Sequence, residues 1–302
     1  MPQPQEFRAP PRCTPTETNT QDNNTSSLQD DAPYFGHAPL KVPNGCFRVG
    51  SVNVANLPIY KSEAKNEQLF RHVLKYDLDI LLMQEVGVNW NVLAPQDGWH
   101  QRLHDFFEPN STCSRVSHNT RSATRDPHQW GGTGILSYGK PRHFAYGSGS
   151  DPSGLGRWTW ARYRGKGNIV LRVATIYQPC ANTTGEASVW AQHKNWLQHQ
   201  NDDRDPRTAF SQDFRLALKS WIDSGDQVVV GGDVNESVFH SSIPDLFNEF
   251  NMTNLIFDTH DATNAPRTYY RTAEGRVLDG LWGTPGIAVT QCGYLEPCEF
   301  IL

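Results

Sequence analysis

The chain has 302 residues, a formal net charge of -5 and 20% charged residues, with a mean hydropathy of -0.60. That length supports one large domain with a substantial core. No apolar run approaches the ~18 residues of a membrane span, and Met1 to Asp31 lacks the apolar stretch of a signal peptide. A soluble intracellular protein is therefore the default expectation. The acidic balance argues mildly against a non-specific nucleic-acid binder, which usually carries a basic excess. A site that collects carboxylates around a cation is acidic by construction, however, and the cation inverts its field. The six cysteines, Cys13, Cys46, Cys113, Cys180, Cys292 and Cys298, are scattered. None forms a C-x-x-C pair or stands at metal-site spacing, so free thiols in a reducing compartment are expected.

Residues 1–44 are rich in Pro, Thr, Asn, Gln and Asp and poor in large apolar side chains. Such a segment buries too little surface to offset its ordering entropy, so a disordered leader, or a connector from an upstream domain, is expected there. The domain follows over 45–302. Phe47 to Val54 reads as a strand and Ser62 to Tyr76 as a helix with Leu69, Phe70, Val73 and Leu74 on one face. Ile80 to Met83 has the continuous apolar character of a strand buried on both faces. His100 to Trp130 is polar and without regular pattern, and a surface loop is expected. Thr133 to Tyr138 is strand-like; Trp158 to Arg164 and Ile169 to Tyr177 form a hairpin pattern about Gly165-Lys166-Gly167. Helical stretches over Ala187 to Gln200 and Arg207 to Ser224 precede a β-branched strand, Gln227 to Val230. Strands alternating with helices suggest a mixed two-sheet core with helices outside.

Four strands end in oxygen-bearing side chains: Asn53, Glu85, Tyr177, and the pair Asp233 and Asn235. Carboxylates and carboxamides at strand ends suit a hard divalent ion that keeps waters for a phosphate. Each has a plainer reading when taken singly. A Glu after an apolar strand is ordinarily a solvated strand end, and a Gly-Asp-x-Asn turn is ordinarily an Asx turn. Tyr177 alone fits the core or its rim, and Asn53 alone fits a structural role.

Together and in this order they resemble the endonuclease/exonuclease/phosphatase (DNase I-like) superfamily. Asn53 matches that family's first-strand asparagine, Gln84-Glu85 its Gln-Glu motif, and Tyr177 the tyrosine of its Tyr-x-Pro-Asn motif. Asp233-Val234-Asn235 matches Gly-Asp-x-Asn, and Asp279 the aspartate of its Arg-hydrophobic-Asp strand. The resemblance spans Phe47 to Tyr294. It implies an α/β (α+β) four-layered sandwich of two packed mixed β-sheets flanked by helices. It also implies a metal-dependent phosphodiester hydrolase, most simply an endonuclease nicking DNA. Glu85, helped by Asn53, would hold Mg²⁺ or Mn²⁺; Asp233 would orient or deprotonate the attacking water. Asn235 and Tyr177 would stabilise charge on the phosphate, and Asp279 would orient a histidine. Asp205-Pro206-Arg207 and the Asp279 segment look like retroelement- or phage-associated members, which implies nucleic acid as partner, DNA before RNA, and a reverse transcriptase domain or frame nearby. A small or lipid phosphate substrate and a non-catalytic pseudo-nuclease stay open as alternatives.

The sequence departs from the family pattern at Cys180, which stands where the Tyr-x-Pro-Asn asparagine is expected. No Ser-Asp-His motif follows Asp279, and His260 is the last histidine. A missing last strand and impaired turnover are expected on that ground, since a proton-handling group is typically worth ~10²–10⁴ in rate.

Overall fold

Apolar side chains that point alternately to two faces give this chain its strands, and the computed structural model shows what each face meets. It describes residues 34–181, 185–269 and 276–295, all within the compact unit Pro33–Leu302. The strands and α-helices, in chain order, are β1 (Tyr34–Gly36), β2 (Val49–Asn53), α1 (Ala64–Lys75), β3 (Ile80–Gln84), α2 (Trp99–Phe106), β4 (Thr112–Ser117), β5 (Thr133–Tyr138) and β6 (Ala145–Ser150). They continue with β7 (Trp158–Arg164), β8 (Val170–Tyr177), α3 (Val189–His199), α4 (Pro206–Asp223), β9 (Gln227–Asp233), α5 (Ser242–Glu249), β10 (Thr253–Asn254), β11 (Asp279–Gly283) and β12 (Gly293–Leu295).

A four-stranded sheet runs β2-β3-β5-β4 and a six-stranded sheet runs β10-β11-β9-β8-β7-β6. Both are mixed: β2 and β3 are parallel, as are β8 and β9, and the other pairs are antiparallel. Ile80 and Leu82 of β3 meet Val173 of β8 and Val229 of β9 between the sheets. The alternate residues Leu81 and Met83 pack outward with Leu69, Phe70 and Val73 of α1. On the far side, Val228 and Val230 pack with Phe210, Phe214 and Leu218 of α4 and Phe247 of α5. The result is helix, sheet, sheet, helix, as the resemblance implied. At the glycine pair Gly231-Gly232 there is no room for a side chain. A Cβ on Gly232 would stand 2.1 Å from the Ile176 carbonyl oxygen, and one on Gly231 2.7 Å from Leu82.

Several expectations need correction. Residues 34–44 are not wholly leader: β1 pairs antiparallel with β12, because the Phe35 ring has Phe257 and Tyr294 to pack against. Residues 1–33 lie outside the described residues, as do 296–302, where a final strand was in question. The expected loop over His100 to Trp130 holds most of α2 and all of β4. The few apolar residues of α2 suffice because Trp99 and Leu103 join the Phe70 cluster. Leu74, placed on the buried face of α1, is 46% exposed, while Leu69, Phe70 and Val73 are buried. No helix among the described residues is long and apolar enough to cross a membrane.

His193 on α3 is 3% exposed. Burial, reinforced by the nearby Arg157 and Arg204 cations, pushes its pKa down from 6.5 to about 3. The unfolded chain therefore takes up a proton that the folded chain refuses. Stability from the neutral ring is present above pH ~6.5 and lost progressively as pH falls toward 3. The gap is worth about 5 kcal/mol as an upper bound. Urea unfolding between pH 7 and pH 4 is expected to show a shallower acid loss in His193→Leu than in the wild type; parallel curves would refute this origin.

Candidate active site

The two sheets bring their polar strand ends to the same place through register. In the six-stranded sheet Tyr177 is paired with Asp233 and Asp233 with Asp279, so three neighbouring strands present these side chains in one row. In the four-stranded sheet Asn53 is paired with Gln84, and Glu85 follows directly. Glu85 and Asn235 both leave their strands in the left-handed region, at φ 50° and 49°. This conformation is uncommon for residues other than glycine and concentrates at functional sites.

Hydrogen bonds across the two sheets join the rows. Asn53 Nδ2 donates to Asp233 Oδ2 at 2.9 Å, over a sequence separation of 180. Asn53 Oδ1 accepts from the Ala55 amide at 2.9 Å, so both ends of this carboxamide are engaged. The second Asp233 oxygen accepts from the Asn235 amide at 2.8 Å. Tyr177 donates its hydroxyl proton to Glu85 Oε1 at 2.7 Å. Gln84 Nε2 donates to Thr175 Oγ1 at 2.8 Å and to Ser51 Oγ at 3.1 Å; this clamp holds β2, β3 and β8 together directly behind Glu85.

Charge is crowded here. Asp233 is only 6% exposed; burial, then the neighbouring Asp279 and Glu85 carboxylates, push its pKa well up against the pull of Asn235 and Asn53. Asp279 is raised to about 6 by burial and by Glu85, opposed by a hydrogen bond from Thr268. Burial first, and then the Glu85 charge, keeps the Tyr177 phenol protonated far above its ordinary range. Carboxylates from both sheets thus converge with mutual repulsion. Hard oxygen donors held this way are the donor set that a divalent cation such as Mg²⁺ or Mn²⁺ takes. Glu85, Asp233 and Asp279 supply carboxylate donors of that kind.

All six residues singled out in the sequence are therefore brought together. Among the described residues no histidine hydrogen-bonds to Asp279; its main-chain carbonyl instead accepts from the Tyr294 hydroxyl at 2.8 Å. Sequence reasoning missed two cations. Lys65 of α1 reaches the Ala55 carbonyl at 3.1 Å and interacts with Glu85, with burial lowering its pKa. Arg207 donates to the Asn235 carbonyl at 3.0 Å and pairs with Glu236 at 2.9 Å. The signal for Arg207 was present: Asp205 caps α4 by accepting from the Arg207 and Thr208 amides, with Pro206 in the first turn, which fixes where Arg207 starts. Cys180 also makes a polar contact after all, donating its thiol proton to Asn235 Oδ1 at 3.0 Å. This leaves Asn235 Nδ2 turned to the Gln178 carbonyl at 2.7 Å.

The model of the Endonuclease/Exonuclease/phosphatase family matches residues 50–301. The chain belongs to this family. Its fold is shared with solved structures at low identity. The human Nocturnin catalytic domain with bound sulfate superposes with a TM-score of 0.54 at 12% identity, over 89% of this chain and 92% of that one. A family member from Leptotrichia buccalis gives 0.53 at 12%, over 79% and 87%. An AP endonuclease from Archaeoglobus fulgidus gives 0.50 at 17%, over 80% and 87%. No curated protein matches the chain by sequence. Members of the family are generally hydrolases of phosphate esters that use divalent metals.

Proposed function

We propose that this family member is a divalent-metal-dependent phosphodiesterase that nicks DNA. The observation that carries this reading is the convergence of Glu85, Asp233 and Asp279 from two sheets, locked by the Asn53–Asp233 and Tyr177–Glu85 hydrogen bonds. Glu85 and Asp279 would hold Mg²⁺ or Mn²⁺, which would offset charge on a phosphate oxygen. Asp233, held by Asn53 and by the Asn235 amide, orients the attacking water and accepts its proton. Asn53, with both ends of its amide in use, serves as the strut that aims Asp233 rather than as a ligand. Asn235 Nδ2 keeps a second N–H for a phosphate oxygen, and Arg207 with Glu236 steadies the loop that carries it. Resemblance to an AP endonuclease fold and the cations Lys65 and Arg207 beside the carboxylates support a polyanionic substrate.

Supercoiled plasmid incubated with the full chain and Mg²⁺ is expected to become nicked circles, while p-nitrophenyl phosphate and its bis ester turn over poorly. A plasmid that stays supercoiled while a small ester is cleaved would replace DNA by a small phosphate substrate. Tyr177→Phe keeps the ring but removes the hydroxyl that holds Glu85. It is expected to weaken apparent Mg²⁺ affinity by ~10–100-fold with folding unchanged; an unaltered metal dependence in the same nicking assay would remove Tyr177 from this role.

A further inference from the structure

Beside the carboxylates, the structure gathers three ligands of a softer kind. His37 follows β1, His260 lies in the loop after β10, and Cys292 immediately precedes β12. One ligand atom from each falls within 4.8 Å of the others. His260 Nε2 stands 3.2 Å from His37 Nδ1, with ring centroids 4.5 Å apart. It also lies 3.0 Å from the Cys292 carbonyl, and the Cys292 amide donates to His37 Nδ1 at 3.2 Å. Two nitrogens bound at ~2.0–2.1 Å and a sulfur at ~2.3 Å on one tetrahedron have edges of about 3.3–3.6 Å. The nitrogen pair, at 3.2 Å, is close to that spacing, and the cysteine sulfur lies within 4.8 Å of both.

The backbone is shaped to admit the imidazoles. Gly36 sits at φ +91°, and a Cβ there would stand 2.9 Å from His260 Nε2 and 2.8 Å from the Cys292 carbonyl oxygen. A side chain there would crowd both the His260 ring and the Cys292 carbonyl. The Phe35 ring walls the other side, 5.8 Å from the His260 ring. The cluster joins segments far apart in sequence, His37 and His260 by 223 positions, so no local spacing rule could have found it.

We infer that His37, His260 and Cys292 form a binding site for a borderline-soft divalent cation, Zn²⁺, that fastens the β1–β12 ribbon to the body of the domain. Two imidazoles and a thiolate select Zn²⁺ over Mg²⁺, so this site and the carboxylate site do not compete for the same ion. His37 is exposed, which leaves a fourth position to water. Such a fastening adds to the Phe35 and Tyr294 contacts, since strands of three residues paired only with each other are marginal in water. Its placement also matters to the carboxylates. His37 and Cys292 line the same cleft, about 400 Å³, as Asn53 and Asp279, and Tyr294 of β12 carries the hydroxyl that meets the Asp279 carbonyl. Binding releases the thiol proton, so affinity rises with pH.

The test is a Co²⁺ titration of metal-stripped full-length protein in excess Mg²⁺, read by absorbance. One equivalent is expected to give a near-ultraviolet thiolate-to-cobalt band with visible tetrahedral bands, both displaced by Zn²⁺. Cys292→Ser should abolish the thiolate band, and His37→Ala, at an exposed position that leaves folding intact, should weaken binding at least tenfold. Glu85→Ala should keep the spectrum. Zn²⁺ should raise the melting temperature of the wild type and not of Cys292→Ser. Absence of a thiolate band, or a band that survives Cys292→Ser through one of the other cysteines, would overturn the site. Neither result touches the DNA-nicking reading, which the Mg²⁺-dependent plasmid assay decides separately.

Discussion

Asp233→Asn is expected to lower the nicking rate by ~10²–10⁴, the range typical of losing a positioned proton acceptor, while leaving the protein at least as stable as the wild type. The two effects have opposite signs for one reason. Asp233 is buried against Asp279 and Glu85, and each pushes against its charge. Replacing the carboxylate with a neutral amide relieves that repulsion in the metal-free protein. Oδ1 can still accept from the Asn235 amide, as it does at 2.8 Å, though the amide end then faces the Asn53 donor. Sites that crowd like charges for chemistry commonly sacrifice stability in this way. Single-turnover nicking and a melting curve on the same preparation give the answer. Activity within threefold of wild type would remove Asp233 from the chemistry; a large fall in melting temperature would mean that lost activity reflects lost structure.

Asp226→Ala is expected to cost about 3–5 kcal/mol of folding stability, the range for stripping a partner from a buried ion pair. Asp226 is 3% exposed. It accepts from Arg162 at 2.8 Å and from Arg172 at 2.7 Å, while the Arg172 guanidinium lies over the Trp160 and Trp221 rings at 4.2 and 4.8 Å. Removing the carboxylate leaves Arg172 charged, 5% exposed and held in place by those rings. Double substitution of Asp226→Ala with Arg172→Leu is expected to recover much of the loss. Urea midpoints for the single and double variants measure both numbers, and a single-variant cost under about 1 kcal/mol would show that solvent reaches the pair.

These two sites differ in how far they were legible in the sequence. The strand ends could be found because register is local: an apolar run such as Ile80 to Met83 fixes a doubly buried strand, and the residue after it must emerge where strands emerge. All five residues of β3 are indeed buried. What the run could not reveal is that Glu85 turns into the left-handed region or that Asn53 spans the sheets to Asp233. Such contacts depend on how two sheets stack, which periodicity along one segment does not encode. β6, with Tyr146-Gly147-Ser148-Gly149-Ser150, shows why an edge strand escapes notice. It is set by backbone pairing to β7 with a register shift near Gly147, not by an alternating apolar face. α2 escaped for a related reason: only Trp99, Arg102 and Leu103 of its eight residues are buried. Arg102 is itself polar, satisfied by the Pro58 and Ile59 carbonyls at 2.6 and 2.5 Å. The histidine–cysteine cluster was the least visible, because its members share neither an element nor a spacing.

The proposed hydrolytic centre needs a cation held by Glu85. Initial nicking rate against Mg²⁺ concentration, for wild type and Glu85→Gln with an EDTA control, tests it most directly. The prediction is no cleavage in EDTA, saturable activation of the wild type, and a Glu85→Gln curve displaced at least ~10-fold or flat. Cleavage that persists in EDTA, or the same Mg²⁺ curve for both proteins, would contradict it.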